Sequence, residues 1–537
     1  MPVPLVAHLL FIALHIRWTS YLLALLVGLT SLIGIRLLAH FHSFFWHWER
    51  YRNQQAVTTG DLMRQPKLPH LKIQITTLGT AGSTEVIRQS IQSILSLVYE
   101  VPALYGPLLN IEVVTEAPEQ KELFEREFAH TPLDVQVFVI PPTYETPNGT
   151  KLKARALHYM VELRRQGINY KPGRTFIAHY DEESIIPTEE LKKLLYHLAI
   201  TNKQLLEGPI YYSLKYRSAS MLCRAIEANR PIGGFECCTT MEHGLPLHIH
   251  GSNLVIDETL ENELGWDLGI LHGQPFVAED FIFGIFAYLL RGPTIFGWHG
   301  CLMLEQPPLS YRSTFWQRYR WVLGILQGLK AMRTLPQFRN LPLRQRLLLI
   351  WRMRYRVLTF AYGLPVGILA LGYTLYQSYL LLSNHLFLPL PLPLMLWLTI
   401  VGFLWLNTLF IGAWYNLSYT TDLAWQQRWL EIMRVLCLAP LAGIMESAAA
   451  CWAIGQWALG HHTARWQPLP KTVQAEQQLH TQALEEQDTA IVLSLAEQRL
   501  QRIKELRQQR ESTAPSRAIS RSTTMKRIKG YTAHGKI

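Results

Sequence analysis

Acidic side chains stand where an apolar, strand-like run of the sequence ends. Asp181, Glu182 and Glu183 directly follow the run 176–180. Carboxylates at positions i and i+2 just past a strand can both coordinate a hard cation such as Mg²⁺ or Mn²⁺. A helix N-terminus is the alternative, because acids favour the first turn of a helix and Pro187 follows. The spacing alone leaves both interpretations open.

A cluster of cations lies upstream. Lys151, Lys153 and Arg155 fall within five residues, after the loop 141–150. Lys and Arg suit a diphosphate, because each donates several hydrogen bonds to phosphate oxygens. The solvated face of a helix is an equally good interpretation of the cluster taken alone.

A pair of acids interrupts an otherwise apolar run. Glu279 and Asp280 lie within Pro275–Leu290. Burial among apolar side chains raises the pKa of a carboxyl group towards the value that a general base needs. Gln317, Arg320 and Trp321 follow on a predicted helix. A tryptophan there is compatible with an interfacial membrane anchor as well as with a ligand site.

Alternating strand and helix patterns must position these residues. Strands are predicted at 73–77, 111–115, 135–140 and 175–178, and helices at 83–97, 119–129, 152–165 and 188–201. Such alternation predicts a mostly parallel sheet with helices on both faces. Ligand sites in such sheets lie beyond the carboxyl ends of the strands, where Glu116 and Asp181 fall.

The composition is that of a membrane protein with a large polar part. The 537 residues include 51 Lys and Arg against 40 Asp and Glu, which gives a net charge of +11, and 49% are hydrophobic. A mean hydropathy of only +0.07 excludes a chain that is purely transmembrane. The six cysteines contain no C-x-x-C pair, so neither a disulfide scaffold nor a zinc ribbon is indicated.

Several apolar stretches are long enough to cross a bilayer. Val357–Thr421 contains no charged residue and holds two spans, with a hinge predicted at Asn384–Pro393. Trp18–Ile35 is a third span, preceded by the shorter apolar segment Leu5–Ile16. Val435–Gly460 contains a proline and a glutamate, which favours an interfacial or re-entrant segment.

Basic residues flank these spans on one side. Positive charge stays in the cytosol, so the region between the first and second spans is predicted to be cytosolic, and two further spans return the tail to that side.

The tail has two parts. The pattern of Ala483–Arg510 predicts a polar helix, and Ser512–Ile537 carries six cations and no acid. Such a tail favours anionic lipid headgroups. Nucleic-acid binding is not expected, because no aromatic and basic platform accompanies the charge.

Taken in order, these residues resemble membrane-integrated family-2 inverting glycosyltransferases, the group of cellulose, chitin and hyaluronan synthases. Asp181 and Glu183 match the family's metal motif, Glu279-Asp280 its acidic pair, and Gln317, Arg320 and Trp321 its Q-x-x-R-W motif. The segments 75–79, 112–116, 153–157, 179–184 and 277–280 are similar to egghead-type β-1,4-mannosyltransferases. That resemblance runs from about residue 71 to 471.

The resemblance implies an α/β GT-A (Rossmann-like) domain combined with an α-helical transmembrane domain. The implied divisions are residues 1–48 (N-terminal membrane segments), 49–340 (cytosolic GT-A domain), 341–462 (transmembrane or interfacial helices), 463–511 (a gating-like segment and polar helix) and 512–537 (a basic disordered tail). Trp466 and Lys471 correspond to the gating segment.

The resemblance also implies the roles of the site residues. Asp280 is the expected base, with Glu279 orienting it or binding the acceptor, and Asp181 and Glu183 hold Mg²⁺ or Mn²⁺. The donor, GDP-mannose or a UDP-hexose, is expected to contact Thr76, Thr77, Gly79, Glu116, Lys153 and Arg155. The acceptor and the departing diphosphate are assigned to Gln317, Arg320 and Trp321. The chain departs from the mannosyltransferase pattern at Leu78, usually basic, and at Glu116, usually Asp.

Three functions are compatible with these sequence features. The first is addition of one hexose, with mannose favoured, to a lipid-linked or membrane-associated acceptor through a β-glycosidic bond. The second is a processive polysaccharide synthase, which needs helices enough to enclose the polymer. The third is an inactive membrane scaffold, against which the complete set of motif residues argues. We predict the first of these functions, the addition of one hexose.

Overall fold

The parts of the chain described by the computed structural model are residues 3–52, 56–80, 82–243, 249–384, 390–421 and 423–461. Trp466, Lys471, the predicted polar helix at 483–510 and the basic tail at 512–537 lie outside these residues. The strands are β1 (His70–Thr76), β2 (Leu109–Thr115), β3 (Asp134–Val139), β4 (Thr175–Asp181), β5 (Leu205–Glu207), β6 (Ile210–Tyr212), β7 (Leu254–Asp257), β8 (Ile270–Leu271), β9 (Gln274–Pro275), β10 (Phe296–Trp298) and β11 (Met303–Glu305).

The helices of the first half are α1 (Val3–His47), α2 (Thr59–Met63), α3 (Ser83–Glu100), α4 (Pro102–Leu108), α5 (Pro118–Phe128), α6 (Leu152–Arg165), α7 (Thr188–Ile200), α8 (Met221–Glu227) and α9 (Arg230–Glu242). Those of the second half are α10 (Glu258–Leu264), α11 (Glu279–Arg291), α12 (Tyr311–Thr334), α13 (Pro336–Asn340), α14 (Leu343–Ala361), α15 (Gly363–Asn384), α16 (Leu392–Ser418) and α17 (Trp425–Ala458).

The central sheet has the strand order β10-β5-β7-β4-β1-β2-β3. The strands β1 to β4 are parallel, as the sequence predicts, because each connection between them runs through a helix. β7 is antiparallel to both β4 and β5, a feature that the sequence analysis missed. Apolar clusters fill both faces of the sheet. The α/β class is therefore confirmed, with one antiparallel strand added.

The register of the sheet brings the ends of its parallel strands to one edge. Thr76, the last residue of β1, pairs with Val114 of β2 and with Asp181 of β4. Asp181 is thus the final strand residue rather than the first residue after the strand. The segments that follow these strands begin at the same edge of the sheet, where the predicted site lies.

Within the part of the chain that the structure describes, four helices are long and apolar enough to cross a membrane, at Ala24–Tyr51, Gly363–Ser383, Leu392–Ser418 and Trp425–Ala458. Both apolar segments predicted at the N-terminus lie in α1, which is one continuous helix. α15 ends at Asn384 and α16 begins at Leu392, within the predicted hinge Asn384–Pro393. Pro393 lies in the first turn of α16, where a missing N–H costs little.

α1 and α16 pack closely against each other, and α16 is fixed to the α/β domain. A Cβ on Gly34 would come within 2.9 Å of the Trp397 ring, so only glycine permits this approach of the two helices. At the other end of α16, buried Asn416 accepts a hydrogen bond from the Tyr212 N–H (2.9 Å) and donates to the Glu227 carbonyl (3.0 Å). The C-terminal end of α16 therefore lies against the α/β domain.

α17 follows the α/β domain along much of its length. Glu431 near its start pairs with Arg224 of α8 (2.8 Å), and Glu446 pairs with Arg318 of α12 (2.8 Å). Further along, Ala450 and Ala453 belong to the same apolar cluster as Val322 of α12. At 1.5 Å per residue, the stretch from 431 to 453 covers about 33 Å. Pro440 lies inside this continuous helix rather than ending it.

Candidate functional site

A cavity of about 250 Å³ lies at the carboxyl edge of the sheet. The residues predicted for the site that line it are Thr76, Thr77, Glu116, Lys153, Asp181, Glu183, Glu279, Asp280, Gln317, Arg320 and Trp321. These side chains come from strand ends, α6, α11 and α12, which are far apart in the sequence. Gly79 and Arg155 do not line the cavity and take other positions.

Gly79 shapes the turn that follows β1. Its φ of +72° is a conformation that side chains disfavour, and an added Cβ would lie 2.3 Å from the Cβ of Ala117. The Gly79 N–H donates to the Thr77 hydroxyl (3.0 Å), which itself donates to Glu182 (2.6 Å). The Gly79 contacts therefore hold Thr77 in place beside the cavity.

Arg155 binds the predicted nucleotide residue Glu116 rather than facing the cavity. Its guanidinium donates to the Glu116 carboxylate and to the Tyr144 carbonyl, the latter at 3.2 Å. Arg155 therefore fixes the position of Glu116, whose carboxylate remains part of the cavity wall.

Lys153 stands between the predicted metal ligand and the predicted base. Its Nζ donates to Asp181 Oδ1 (2.5 Å) and to the Gly251 carbonyl (3.0 Å). A Cβ on Gly251 would be 3.3 Å from Lys153 Nζ and 3.2 Å from Asp280 Oδ2, so the two side chains share this glycine as a neighbour. Burial disfavours the charged lysine, but the carboxylates of Asp181, Glu279 and Asp280 outweigh burial and raise its pKa. Lys153 is therefore a fixed cation.

Asp280 is the second residue of α11, whose following residues anchor the helix in the core. Phe281 and Phe283 are buried, and the Phe281 N–H donates to Asp280 Oδ1 (2.8 Å). Burial, and then the neighbouring Glu279 carboxylate, raise the pKa of Asp280 to about 8. A carboxyl group with a pKa near neutrality can both accept and release a proton under working conditions, as a general base must.

α12 supplies one wall of the cavity. Gln317, Arg320 and Trp321 are three and four residues apart, so they share one face of the helix. Burial lowers the pKa of Arg320, although Glu279 and Asp181 act in the opposite direction. Trp321 lies 6.3 Å from Phe360 between ring centroids. The helix therefore offers a cation and an aromatic face to the same space.

Glu305 and Arg230 are charged residues of the cavity that the sequence analysis did not name. Glu305 ends β11 and accepts hydrogen bonds from the hydroxyls of Ser252 and Ser184, the latter at 3.2 Å. Burial, and then the carboxylates of Asp181 and Glu183, raise the pKa of Glu305 to about 7. A strand of three residues is too short to show a periodic pattern, so the sequence did not indicate that Glu305 ends a strand.

Arg230, the second missed residue, is the first residue of α9 and lines the cavity beside Trp321. Its guanidinium carbon lies 5.1 Å from the Trp321 ring centroid and 5.8 Å from that of Tyr212. No sequence motif marks this arginine, because its place in the cavity depends on how α9 packs.

The charges of the cavity wall fit a divalent cation. Three cationic side chains line it, Lys153, Arg230 and Arg320, against seven carboxyl groups. Those carboxyl groups are Glu116, Asp181, Glu182, Glu183, Glu279, Asp280 and Glu305. Carboxylate oxygens are the ligands that Mg²⁺ and Mn²⁺ prefer. Burial raises the pKa of Glu305, and the nearby carboxylates of Asp181 and Glu183 raise it further.

Two solved structures align with most of this chain at low TM-scores. One is "Mannosyltransferase PcManGT from Pyrobaculum calidifontis in complex with GDP-Man and Mn2+", with 16% identity and a TM-score of 0.36 over 72% of this chain and 99% of that one. Another is S. aureus TarS 1-349 in complex with UDP-GlcNAc, with 11% identity and a TM-score of 0.31 over 73% of this chain and 92% of that one.

Among curated relatives, the β-1,4-mannosyltransferase bre-3 of Caenorhabditis elegans is 26% identical over 194 residues, which are 36% of this chain and 41% of the relative. The β-1,4-mannosyltransferase egh of Drosophila melanogaster is 25% identical over 218 residues, 40% of this chain and 44% of the relative. The chain thus spans about two fifths of the length of these relatives.

The family model described as glycosyl transferase family group 2 matches residues 176–415. That range includes β4 with Asp181, the acidic pair on α11 and the Gln317, Arg320 and Trp321 face of α12. The match covers 240 of the 537 residues and includes most of the residues on which the family-2 resemblance rests.

Proposed function

We propose that this protein is an inverting glycosyltransferase that moves a hexose from a nucleotide-diphosphate sugar to a lipid-linked or membrane-associated acceptor, forming a β-glycosidic bond. The observation that carries the proposal is one cavity that unites Asp181 and Glu183, the cation Lys153 and Asp280. The cavity ends on α12, which contacts the membrane-type helix α17.

Donor binding is assigned to the charged half of the cavity. Lys153 and Arg320 contribute positive charge where the diphosphate departs, and Asp181 and Glu183 would hold Mg²⁺ or Mn²⁺. A bound divalent ion supplies further positive charge to the leaving diphosphate. Thr77 and Glu116 line the same half, where the nucleotide is expected. The cations are held in place before the donor arrives, which favours electrostatic stabilisation of the leaving group.

Acceptor activation is assigned to Asp280. Its carboxylate takes the proton of the acceptor hydroxyl while that oxygen forms its bond to the anomeric carbon on the face opposite the departing diphosphate. A single displacement of this kind inverts the anomeric configuration, and no covalent link to the enzyme is required. Glu279 beside it helps to keep the pKa of Asp280 raised.

Mannose is favoured as the transferred sugar because the curated relatives named above are β-1,4-mannosyltransferases. A processive polysaccharide synthase remains the second candidate. A second cavity, which lies among the long helices, argues for limited addition. Apolar residues such as Ile33, Val366 and Leu398 line this second cavity and would not solvate a polysaccharide.

The proposed topology places the α/β domain in the cytosol, with α1, α15 and α16 crossing the membrane. α17 then lies at the membrane surface, because residues from Glu431 to Ala453 stay against the α/β domain. Under this arrangement the chain beyond α17 is on the cytosolic side as well. Basic residues flanking α1 and preceding α15 favour the cytosolic orientation.

Replacement of Asp181 tests the metal assignment. Asp181→Asn removes one negative ligand, so binding of Mn²⁺ in the presence of GDP, measured by calorimetry or electron paramagnetic resonance, should weaken by at least tenfold, and transfer should be lost. Glu119→Gln, an exposed acid on α5, is the matched control and should bind Mn²⁺ as the wild type does. Unchanged Mn²⁺ affinity in Asp181→Asn contradicts the assignment.

Replacement of Asp280 tests the base and the reaction class. Membranes containing the full chain are incubated with GDP-mannose or UDP-glucose, and the products are analysed by mass spectrometry and NMR. We expect a β-linked product from the α-linked donor, and Asp280→Asn should lower turnover by roughly 10²-fold or more with little change in donor binding. An α-linked product, or near wild-type turnover, removes Asp280 from the mechanism.

Asp280 should also affect stability in a pH-dependent way. Its folded pKa of about 8 lies above the ordinary 3.8, so its favourable contribution is present below the ordinary value and is lost as the pH rises through 8. In the metal-free protein, Asp280→Asn should therefore have a higher melting temperature than the wild type at about pH 8.5 and an equal one near pH 4. A lower melting temperature at the higher pH would contradict the raised pKa.

Single cysteines test the topology. They are placed at exposed Glu122 on α5, at Leu382 near the end of α15 and at His461 after α17, in a background carrying Cys437→Ser. In sealed vesicles, an impermeant maleimide should label positions 122 and 461 from the same side and position 382 from the other. Labelling of 122 and 461 from opposite sides would mean that α17 crosses the membrane.

A further inference from the structure

A second cavity lies among the long helices. Its volume is about 380 Å³, and it is lined by residues of α1, α15, α16 and α17 together with the ends of α8 and α14. The volume falls in the range of ~300–1,000 Å³ that is typical of small-molecule sites. Apolar side chains such as Val401, Trp405 and Ile444 form most of its wall. A hydrocarbon chain is the chemistry that such a wall accommodates.

The second cavity meets the candidate active site at one place. Phe360, at the end of α14, lines both cavities. Asn229 lines the cavity among the helices, and the next residue, Arg230, lines the catalytic cavity. The junction is therefore formed by the start of α9 and by the aromatic pair Phe360 and Trp321.

Arg230 differs from the other arginines near this junction. Arg318 pairs with Glu227 (2.7 Å), and Arg356 pairs with Glu236 (2.9 Å). Among the residues that the structure describes, no carboxylate lies within ion-pair distance of Arg230, whose guanidinium rests instead near the rings of Trp321 and Tyr212. The junction thus carries a cation that is held in place and can accept an anion from a ligand.

Arg230 is also separate from the cations assigned to the donor. Lys153 donates to Asp181 (2.5 Å), whereas the Arg230 guanidinium rests near the rings of Trp321 and Tyr212. An anion bound at Arg230 therefore belongs to another part of the reacting complex than the donor diphosphate, which is expected beside Lys153.

We propose that the acceptor is a lipid in which a phosphate links the hydrocarbon to the sugar that is extended. The hydrocarbon occupies the cavity among the helices, the phosphate binds Arg230 beside Trp321, and the sugar hydroxyl reaches Asp280. This inference rests on the proposed function and names its acceptor class. A neutral glycolipid offers the guanidinium of Arg230 no hydrogen-bonded anion, whereas a phosphate accepts two parallel hydrogen bonds from it.

Lipid binding without donor tests this site. The purified, delipidated full chain is titrated with phosphatidylinositol and with a neutral monoglucosyl diacylglycerol of identical acyl chains, and bound lipid is counted by native mass spectrometry. We expect phosphatidylinositol to bind about tenfold more tightly, the effect of one charged hydrogen-bonded contact. Arg230→Gln should abolish that preference, and Arg230→Lys should retain most of it.

A pair of glycine variants tests the hydrocarbon site. Gly402 lines the cavity, and a Cβ there would meet no atom within 4 Å, so Gly402→Phe fills the cavity without a clash at the backbone. It should weaken binding of both lipids by about tenfold or more. Gly372→Phe on the exposed face of α15, where a Cβ is equally unhindered, is the control and should change neither.

Three results would overturn the inference. They are equal binding of the two lipids by the wild type, a preference that survives Arg230→Gln, and complete displacement of phosphatidylinositol by chain-free glycerophosphoinositol, which would indicate a soluble anion. Binding of GDP-mannose with Mn²⁺ is measured on the same preparations. Loss of nucleotide-sugar binding with normal lipid binding would refute the proposed function rather than the lipid site.

Discussion

The charge balance around Lys153 is the constraint on which the site depends. Seven carboxyl groups line one cavity, and their mutual repulsion would be costly without a cation fixed among them. Lys153 bonds Asp181 directly and shares Gly251 with Asp280, so one cation lies beside both the proposed metal ligand and the proposed base. Because α6 begins at residue 152, helix and sheet must pack correctly before the carboxylates can be tolerated. Folding and site assembly are therefore the same event.

Buried ion pairs set the position of the α/β domain on the long helices. Arg318 of α12 bonds Glu227 of α8 and Glu446 of α17, and Glu236 of α9 bonds Arg356 of α14 (2.9 Å) and His40 of α1 (3.2 Å). Apolar packing is non-directional and tolerates sliding, whereas loss of one partner from a buried pair costs about 3–5 kcal/mol. These pairs therefore fix a single register, and the register brings Trp321 beside Phe360 where the two cavities meet.

The sequence was informative wherever an element was long or a motif was ordered. Strands β1 to β4 alternate with amphipathic helices, so their parallel order and the edge that carries Asp181 were predictable. Strands β5, β7 and β10 have three or four residues, too few for a periodic signal, so this part of the sheet and its one antiparallel strand, β7, were missed. Glu305 and Arg230 were missed for a related reason, since their positions depend on packing between distant elements. The position of α17 likewise depends on its tertiary contacts with the α/β domain, which the hydropathy of the sequence does not predict.

The face of α12 at Gln317, Arg320 and Trp321 joins two chemistries that require different surroundings. Departure of a diphosphate requires dense, fixed charge, which Arg320 shares with Lys153 and the carboxylates. Delivery of a membrane acceptor requires an apolar path, which begins at Phe360 beside Trp321. Arg320 and Trp321 are consecutive residues of α12, so under the proposed function a lipid acceptor meets the donor without leaving the bilayer. Under the same proposal the apolar cavity holds the hydrocarbon chain, and only the polar headgroup enters the charged cavity.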